Sequence, residues 1–152
     1  MRNTECVTSL ANSSAGHTID GIQCLGVEQL RFHQHAHLAV FVDGEQRTVP
    51  ESIGIVSGGT CLYWMHSHTP DGVVHIESPE IRTFTLGNYF DIWGQPLGPN
   101  RVGPAKGTVT AYVNGTPYTG NPRDIQLGEH VTVQLDVGKP VPYKDYKYPL
   151  GE

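Results

Sequence analysis

Glycine and proline divide this sequence into runs that are too short for long helices. The chain contains 18 Gly and 11 Pro among its 152 residues, and both residues interrupt regular helix and strand backbone. Between them lie short runs in which apolar and polar residues alternate, which is the period of a half-buried strand. The sequence therefore predicts a mainly β fold, a single antiparallel β-barrel or sandwich with one short helix.

The strongest strand signal is Phe32–Val42, which ends at the hairpin dipeptide Asp43-Gly44. The dipeptide Asn114-Gly115 predicts a second hairpin by the same chemistry. A last alternating strand is predicted over 130–137. These signals place much of the chain in strands that are joined by tight turns.

Residues 60–77 are predicted to form two strands that fold back on each other. The turn between them is Thr69-Pro70-Asp71-Gly72, a run of turn-favouring residues. Farther along, Leu86–Trp93 is the helix candidate, because Thr85 can cap its N-terminus.

The length of the chain favours one domain with a substantial core. We predict a flexible N-terminal arm over 1–20, a single β-domain over 21–138 and a Pro- and Tyr-rich C-terminal tail over 139–152. The formal net charge is −5 and the ten Lys and Arg are scattered, so no nucleic-acid footprint is expected. No apolar run is long enough to span a membrane. A metal ion is the expected partner, with room for a small-molecule ligand, and the oligomeric state is left open.

Six of the eight histidines lie in two short segments, and this is the main functional signal. Residues two apart on a strand point the same way and lie about 6.6 Å apart, so a His-x-His pair offers two imidazoles to one ion. Two such strands that meet would supply four ligands. The predicted transition-metal site comprises His66, His68, His35, His37, His33 and His75.

Imidazole suits zinc, copper, iron and nickel, so the pattern does not identify the metal. Copper or zinc is expected, with iron, nickel and manganese as alternatives. His130 is remote in sequence and is interpreted as structural or exposed. Cupin, metallo-β-lactamase, blue-copper and metalloprotease motifs are not met, and neither a serine-nucleophile motif nor a phosphate-binding loop is found.

Glu77 follows His75 at the same-face spacing and has three chemical options. A carboxylate there can ligate the metal, orient a ligating histidine or act as a general base. In an enzyme, Glu77 and His75 would be the catalytic proton-transfer groups.

Three functions are consistent with this pattern. The first is a protein that binds copper or zinc in order to sequester, deliver or sense it. The second is a mononuclear metalloenzyme, either a hydrolase or an oxygen-using enzyme, which needs an open coordination position. The third is a β-module in which metal is only a structural staple. Sequence favours metal binding and leaves open whether the protein is an enzyme.

The three cysteines bear on the compartment. Cys24–Cys61 is the preferred disulfide, with three free thiols, or Cys61 as a metal ligand, as alternatives. The N-terminal segment has no apolar targeting core, so either the chain is cytoplasmic or a signal has been removed. We expect an extracytoplasmic protein, periplasmic or secreted, with its signal removed.

Residues 20–95 carry a recognisable series of motifs. A His-x-His-Ala-His-Leu strand is followed by a Cys ahead of His-x-His-Thr, then by Gly-x-x-His-Ile-Glu-Ser-Pro and Phe-Thr-Leu-Gly. In these motifs the chain resembles a family of small bacterial His-rich domains. The resemblance implies an extracytoplasmic metal-binding protein, and it implies no particular activity.

Overall fold

The computed structural model describes residues 16–151. Most of the predicted N-terminal arm, with Cys6, therefore lies outside the described residues. The described end of that segment contacts the domain, since the Tyr63 hydroxyl donates to the carbonyl of His17 at 2.7 Å. Ile19 and Ile22 also exchange two backbone hydrogen bonds.

The regular elements are short, as the frequent Gly and Pro predict. In chain order they are β1 (Cys24–Leu25), β2 (Phe32–Val42), β3 (Glu45–Arg47), β4 (Leu62–Tyr63), β5 (Met65–His66), β6 (Val73–Ser78), β7 (Phe84–Thr85), helix α1 (Leu86–Trp93), β8 (Leu97–Gly98), β9 (Arg101–Val102), β10 (Ala105–Lys106), β11 (Val109–Val113), β12 (Thr116–Tyr118), a 3₁₀ turn (Pro122–Asp124), β13 (Gln126–Leu127) and β14 (Thr132–Val137).

One seven-stranded sheet organises the domain. Its order is β12-β11-β14-β2-β6-β5, with β3 also paired to β2. The pairs are antiparallel except β14 with β2, which is parallel. Because β12 and β5 do not pair with each other, the sheet stays open and the fold is sandwich-like. The mainly β prediction is confirmed, and the closed barrel is excluded.

The core lies on one face of this sheet. Alternation along β2 and β6 turns Ala36, Leu38, Val74 and Ile76 to that side, where they are almost fully buried. Helix α1 packs there, with buried Tyr89, Phe90 and Ile92 among its residues. Burial of each such large side chain is worth about 1.5–3 kcal/mol, so this face carries much of the stability.

Helix α1 begins and ends where local chemistry predicts. The Thr85 hydroxyl accepts from the Asn88 backbone N–H, and the Asn88 side chain accepts from the Thr85 N–H, a reciprocal cap. Gly94 ends the helix in the left-handed conformation. No helix among the described residues is long and apolar enough to cross a membrane.

The C-terminal tail covers part of the other face of the sheet. Gln134 and Asp136 point to that face and are fully buried. Lys144 N–H donates to Gln134 Oε1 at 2.8 Å, and Val141 N–H donates to Asp136 Oδ2 at 3.0 Å. The tail therefore satisfies polar groups that would be costly to bury alone.

The predicted strand over 60–68 is divided in the structure. β4 pairs with β1, and β5 pairs with β6, with Trp64 between them. The outer edge of this region is held by the preceding loop, where Tyr63 N–H donates to Gly54 O and Ser67 N–H donates to Ile53 O. This double support fixes the backbone around His66.

Gly72 ends the turn between β5 and β6, and replacing it with Ala should cost about 3 kcal/mol of unfolding free energy. Its φ is +85°, which strains any residue with a β-carbon by about 1–3 kcal/mol. A β-carbon there would also collide with the Leu38 carbonyl oxygen. Gly58 is the matched control, since its φ is +86° and a β-carbon added there would have nothing within 4 Å. Urea unfolding of Gly72→Ala and Gly58→Ala separates the cost of the collision from the cost of backbone strain. Equal losses of unfolding free energy in the two variants would show that the collision costs nothing.

Candidate metal centre

The predicted histidines lie at one end of the sheet face opposite the core. β6 runs between β2 and β5, and its register sets His75 opposite both His35 and His66. One step along, His33 lies opposite Glu77. Side chains on one face of adjacent strands are near neighbours, so the three strands bring these groups together.

Two groups of potential ligand atoms result. Group 1 is His33, His35 and His75, and group 2 is Glu28, His66 and His68. Within each group, one nitrogen or carboxylate oxygen from each residue lies within 4.8 Å of those of the other two. The rings of the two groups also meet, since the His75 centroid is 4.8 Å from that of His68 and 5.6 Å from that of His66.

Glu77 lies between the two groups and contacts both. Its Oε2 is 3.1 Å from His33 Nε2, and its Oε1 is 3.1 Å from His66 Nε2. Oε2 is also 3.8 Å from His75 Nδ1. The side chain is only 3% exposed, so water can do little to screen these contacts. Each carboxylate oxygen thus belongs to a different group.

The orientation of His66 is set by its own backbone. Its Nδ1 lies 2.7 Å from the Tyr63 carbonyl oxygen, which can only accept, so Nδ1 carries the proton. In the neutral ring the lone pair is then on Nε2, and it faces Glu77 Oε1. Two acceptors at this distance repel unless a proton or a metal cation lies against them. Fixing the ring through its other nitrogen is the usual arrangement of a metal-ligating histidine.

Unsatisfied buried atoms are concentrated in this centre. Among residues 16–151, four buried side-chain nitrogen or oxygen atoms lack a hydrogen-bond partner. Three of the four are His66 Nε2, His75 Nδ1 and Glu77 Oε1. Native proteins rarely leave such atoms unpaired, and all three are atoms that ligate metals.

The electrostatics keep the ligands in the forms that bind cations. Burial, followed by the charges of neighbouring histidines, lowers the pKa of His75 to about 4. Burial and the charge of His66 also lower the pKa of His68. Both rings are thus neutral and can ligate at neutral pH.

The two carboxyl groups of the centre influence each other. Contact with Glu77 and burial raise the pKa of Glu28. Burial acts to raise the pKa of Glu77, but its contacts with His66 and Glu28 outweigh burial and bring its pKa to about 2. A bound cation would offset the repulsion between these two carboxylates.

His37 and His130 belong to neither group. His37 Nε2 donates to the Asp71 carbonyl at 2.7 Å, and its ring stacks on Tyr146 at 3.6 Å between centroids. His37 lies on the predicted face of the sheet. Its ring is engaged by Asp71 of the β5–β6 turn and by Tyr146 of the tail, and it is therefore not part of the centre. His130 is exposed and stacks on Tyr148, in line with the interpretation from sequence.

Glu28 is the site residue that the sequence interpretation missed. Its Oε2 is 3.8 Å from His68 Nε2 and 4.0 Å from His66 Nε2. The Cys24–Cys61 disulfide and the two-residue ladder between β1 and β4 bring its segment there. The predicted cysteine pair was the available signal, because it sets the segment that contains Glu28 beside residues 61–68.

The disulfide also limits the donor chemistry. The preferred Cys24–Cys61 pair is present, so the free-thiol alternative for these two residues, and Cys61 as a metal ligand, are both wrong. Among residues 16–151, the centre therefore offers imidazole nitrogen and carboxylate oxygen without thiolate sulfur. It is open on one side, where the His33 and His68 side chains are each 41% exposed.

No family model, curated protein or solved structure matches this chain. The resemblance of its motifs to small bacterial His-rich domains accordingly stays an expectation. The structure shows two groups of His and Glu side chains that are placed to hold a metal ion.

Proposed function

We propose that the protein binds a transition metal, copper or zinc, in an extracytoplasmic compartment. One observation carries this proposal: the buried contact between His66 Nε2 and Glu77 Oε1, which lie 3.1 Å apart and have no hydrogen-bond partner. His33 adjoins Glu77, and the rings of His68 and His75 adjoin His66. A metal cation at this point would be bound by both atoms.

The donor set supports the choice of metal. Imidazole together with carboxylate suits zinc, copper, iron and nickel, and manganese tolerates it. The majority of imidazoles favours copper and zinc over the harder magnesium or calcium ions, which prefer oxygen. The disulfide supports the proposed compartment, since such bonds persist mainly outside the reducing cytoplasm.

A metalloenzyme is the second candidate, and the open side of the centre favours it. Exposed His33 and His68 leave room for a substrate or a water molecule on the metal. His75 and Glu77 are the proton-transfer groups expected from sequence. Glu77 is nearly buried and contacts three histidines, so the 47% exposed Glu28 is the better placed proton carrier.

A purely structural role for the metal is the least supported alternative. The hydrophobic core lies on the opposite face of the sheet, and the disulfide holds β1 to β4. The metal-free protein should therefore stay folded after chelation. A ligand present at 100 times its dissociation constant adds about 2.7 kcal/mol, so removing the metal should lower Tm by several degrees without unfolding the protein.

The test is metal analysis of the purified protein, followed by titration of the chelated form with Cu(II) and Zn(II). Wild type should bind stoichiometric metal, and His66→Ala combined with His68→Ala should lower the metal content by one ion per chain. His17→Ala combined with His130→Asn is the matched control, because it also removes two histidines but neither belongs to the centre. Asn suits position 130, whose φ is +56°. Wild-type protein that takes up no Cu, Zn, Ni or Fe would refute the proposal.

A further inference from the structure

We propose that the centre holds two metal ions, bridged by the carboxylate of Glu77. This inference rests on the proposed function and deepens it. The ion of group 1 would be bound by His33, His35, His75 and Glu77 Oε2. The ion of group 2 would be bound by Glu28, His66, His68 and Glu77 Oε1.

The number of ligands is the first argument. Groups 1 and 2 together with Glu77 supply seven side chains, whereas zinc sites generally use four ligands. The seven are also not evenly spread, because they fall into two sets of three around one shared carboxylate. A single ion would leave several buried polar groups without a role.

The spacing of the ligand atoms is the second argument. Four ligands placed tetrahedrally at about 2.0–2.1 Å from zinc lie about 3.3 Å from one another. On the side of group 1, Glu77 Oε2 is 3.1 Å from His33 Nε2 and 3.8 Å from His75 Nδ1. On the side of group 2, Glu77 Oε1 is 3.1 Å from His66 Nε2. Each oxygen thus lies near the tetrahedral spacing from a histidine nitrogen of a different group, and the ligand atoms within each group lie within 4.8 Å of one another.

The shape of the bridge is the third argument. One carboxylate that binds two ions through its two oxygens holds them at the spacing of known two-metal sites, about 3.5–4 Å. Glu77 has the required orientation, because its two oxygens face different groups. Its burial and the strand register of β6 with β2 and β5 fix that orientation.

Counting bound ions in each half of the centre tests the proposal. The chelated full chain is titrated with Zn(II) against a chromophoric competitor, and the metal content is measured after gel filtration. Wild type should bind two ions per chain. His35→Ala in group 1 and His68→Ala in group 2 should each reduce the number to one, and the double variant should bind none. The His130→Asn control should keep two.

The outcomes separate this inference from the proposed function. Saturation of wild type at one ion per chain, or retention of one ion by the double variant, would overturn the two-ion centre and leave metal binding intact. No binding by wild type would overturn both. If circular dichroism shows that His35→Ala does not fold, the more exposed His33→Ala takes its place in group 1.

Discussion

Replacing Glu77 with Gln should weaken metal binding by at least about 100-fold and leave the fold intact. Outer partners of metal ligands are already worth about 10–100-fold in affinity, and Glu77 contacts both ligand groups directly. Gln has the same shape but no charge, and its amide nitrogen cannot ligate. Both sides of the centre should therefore lose affinity together, which isothermal titration with Zn(II) measures.

The same substitution should act in the opposite sense on the metal-free protein. At mildly alkaline pH imidazoles as a class are neutral, and the Gln amide can donate to the lone pair of His66 Nε2. This hydrogen bond relieves an unsatisfied buried acceptor, which costs about 1–3 kcal/mol. The chelated Glu77→Gln protein should thus be at least as stable to urea as chelated wild type.

Glu80 provides the matched control for this experiment. It lies three residues farther along, is exposed, and contacts only the half-buried Arg82 among the ion pairs of the described residues. Glu80→Gln removes the same charge without touching the centre. Wild-type affinity in Glu77→Gln, or an equal loss in Glu80→Gln, would show that Glu77 is not a ligand.

Local signals were sufficient to predict β2, the two hairpin turns and the helix. The turn residues Asp43, Gly44, Asn114 and Gly115 all have positive φ, as tight hairpins require. Helix α1 and its Thr85 cap also have the predicted bounds. Each of these features depends on a few adjacent residues, so the sequence contains the information directly.

The arrangement of the strands around the centre could not be predicted in the same way. The hypothesis set the metal between two His-x-His arms, but the sheet order puts β6 between β2 and β5. His75 and Glu77 therefore lie at the middle of the centre instead of beside it. Strand order depends on pairing between distant segments and on how the whole sheet packs, and alternation within one strand does not encode it.

Two residues show how tertiary contacts decide which side chains belong to the centre. His37 shares the face of His33 and His35, but the Asp71 carbonyl and the Tyr146 ring engage it. Glu28 lies in a segment without any periodic signal and reaches the centre through a covalent link. The very short strands over 97–106 and 126–127 were also missed, because two-residue strands have no detectable period.

Removing the disulfide should cost about 4 kcal/mol of unfolding free energy, the second large effect. The two cysteines are 37 residues apart, and the chain-entropy relation for a loop of that length gives about 4 kcal/mol. The comparison is Cys24→Ser with Cys61→Ser against the intact disulfide in urea. Cys6→Ser is included in both proteins, so that no other thiol can form a mixed disulfide.

The same variant should lose affinity on one side of the centre only. Besides the disulfide, β1 is held to β4 by a two-residue ladder, and Glu28 follows it by a few residues. Without the covalent link, Glu28 is less firmly positioned against His66 and His68, so metal binding by group 2 should weaken while group 1 keeps its affinity. Glu28→Gln in the disulfide-bonded protein should reproduce the loss of affinity without the loss of stability. If the Cys24→Ser, Cys61→Ser protein binds metal as wild type does while Glu28→Gln binds it more weakly, packing alone positions the segment that contains Glu28. If both proteins bind metal as wild type does, Glu28 is not a ligand.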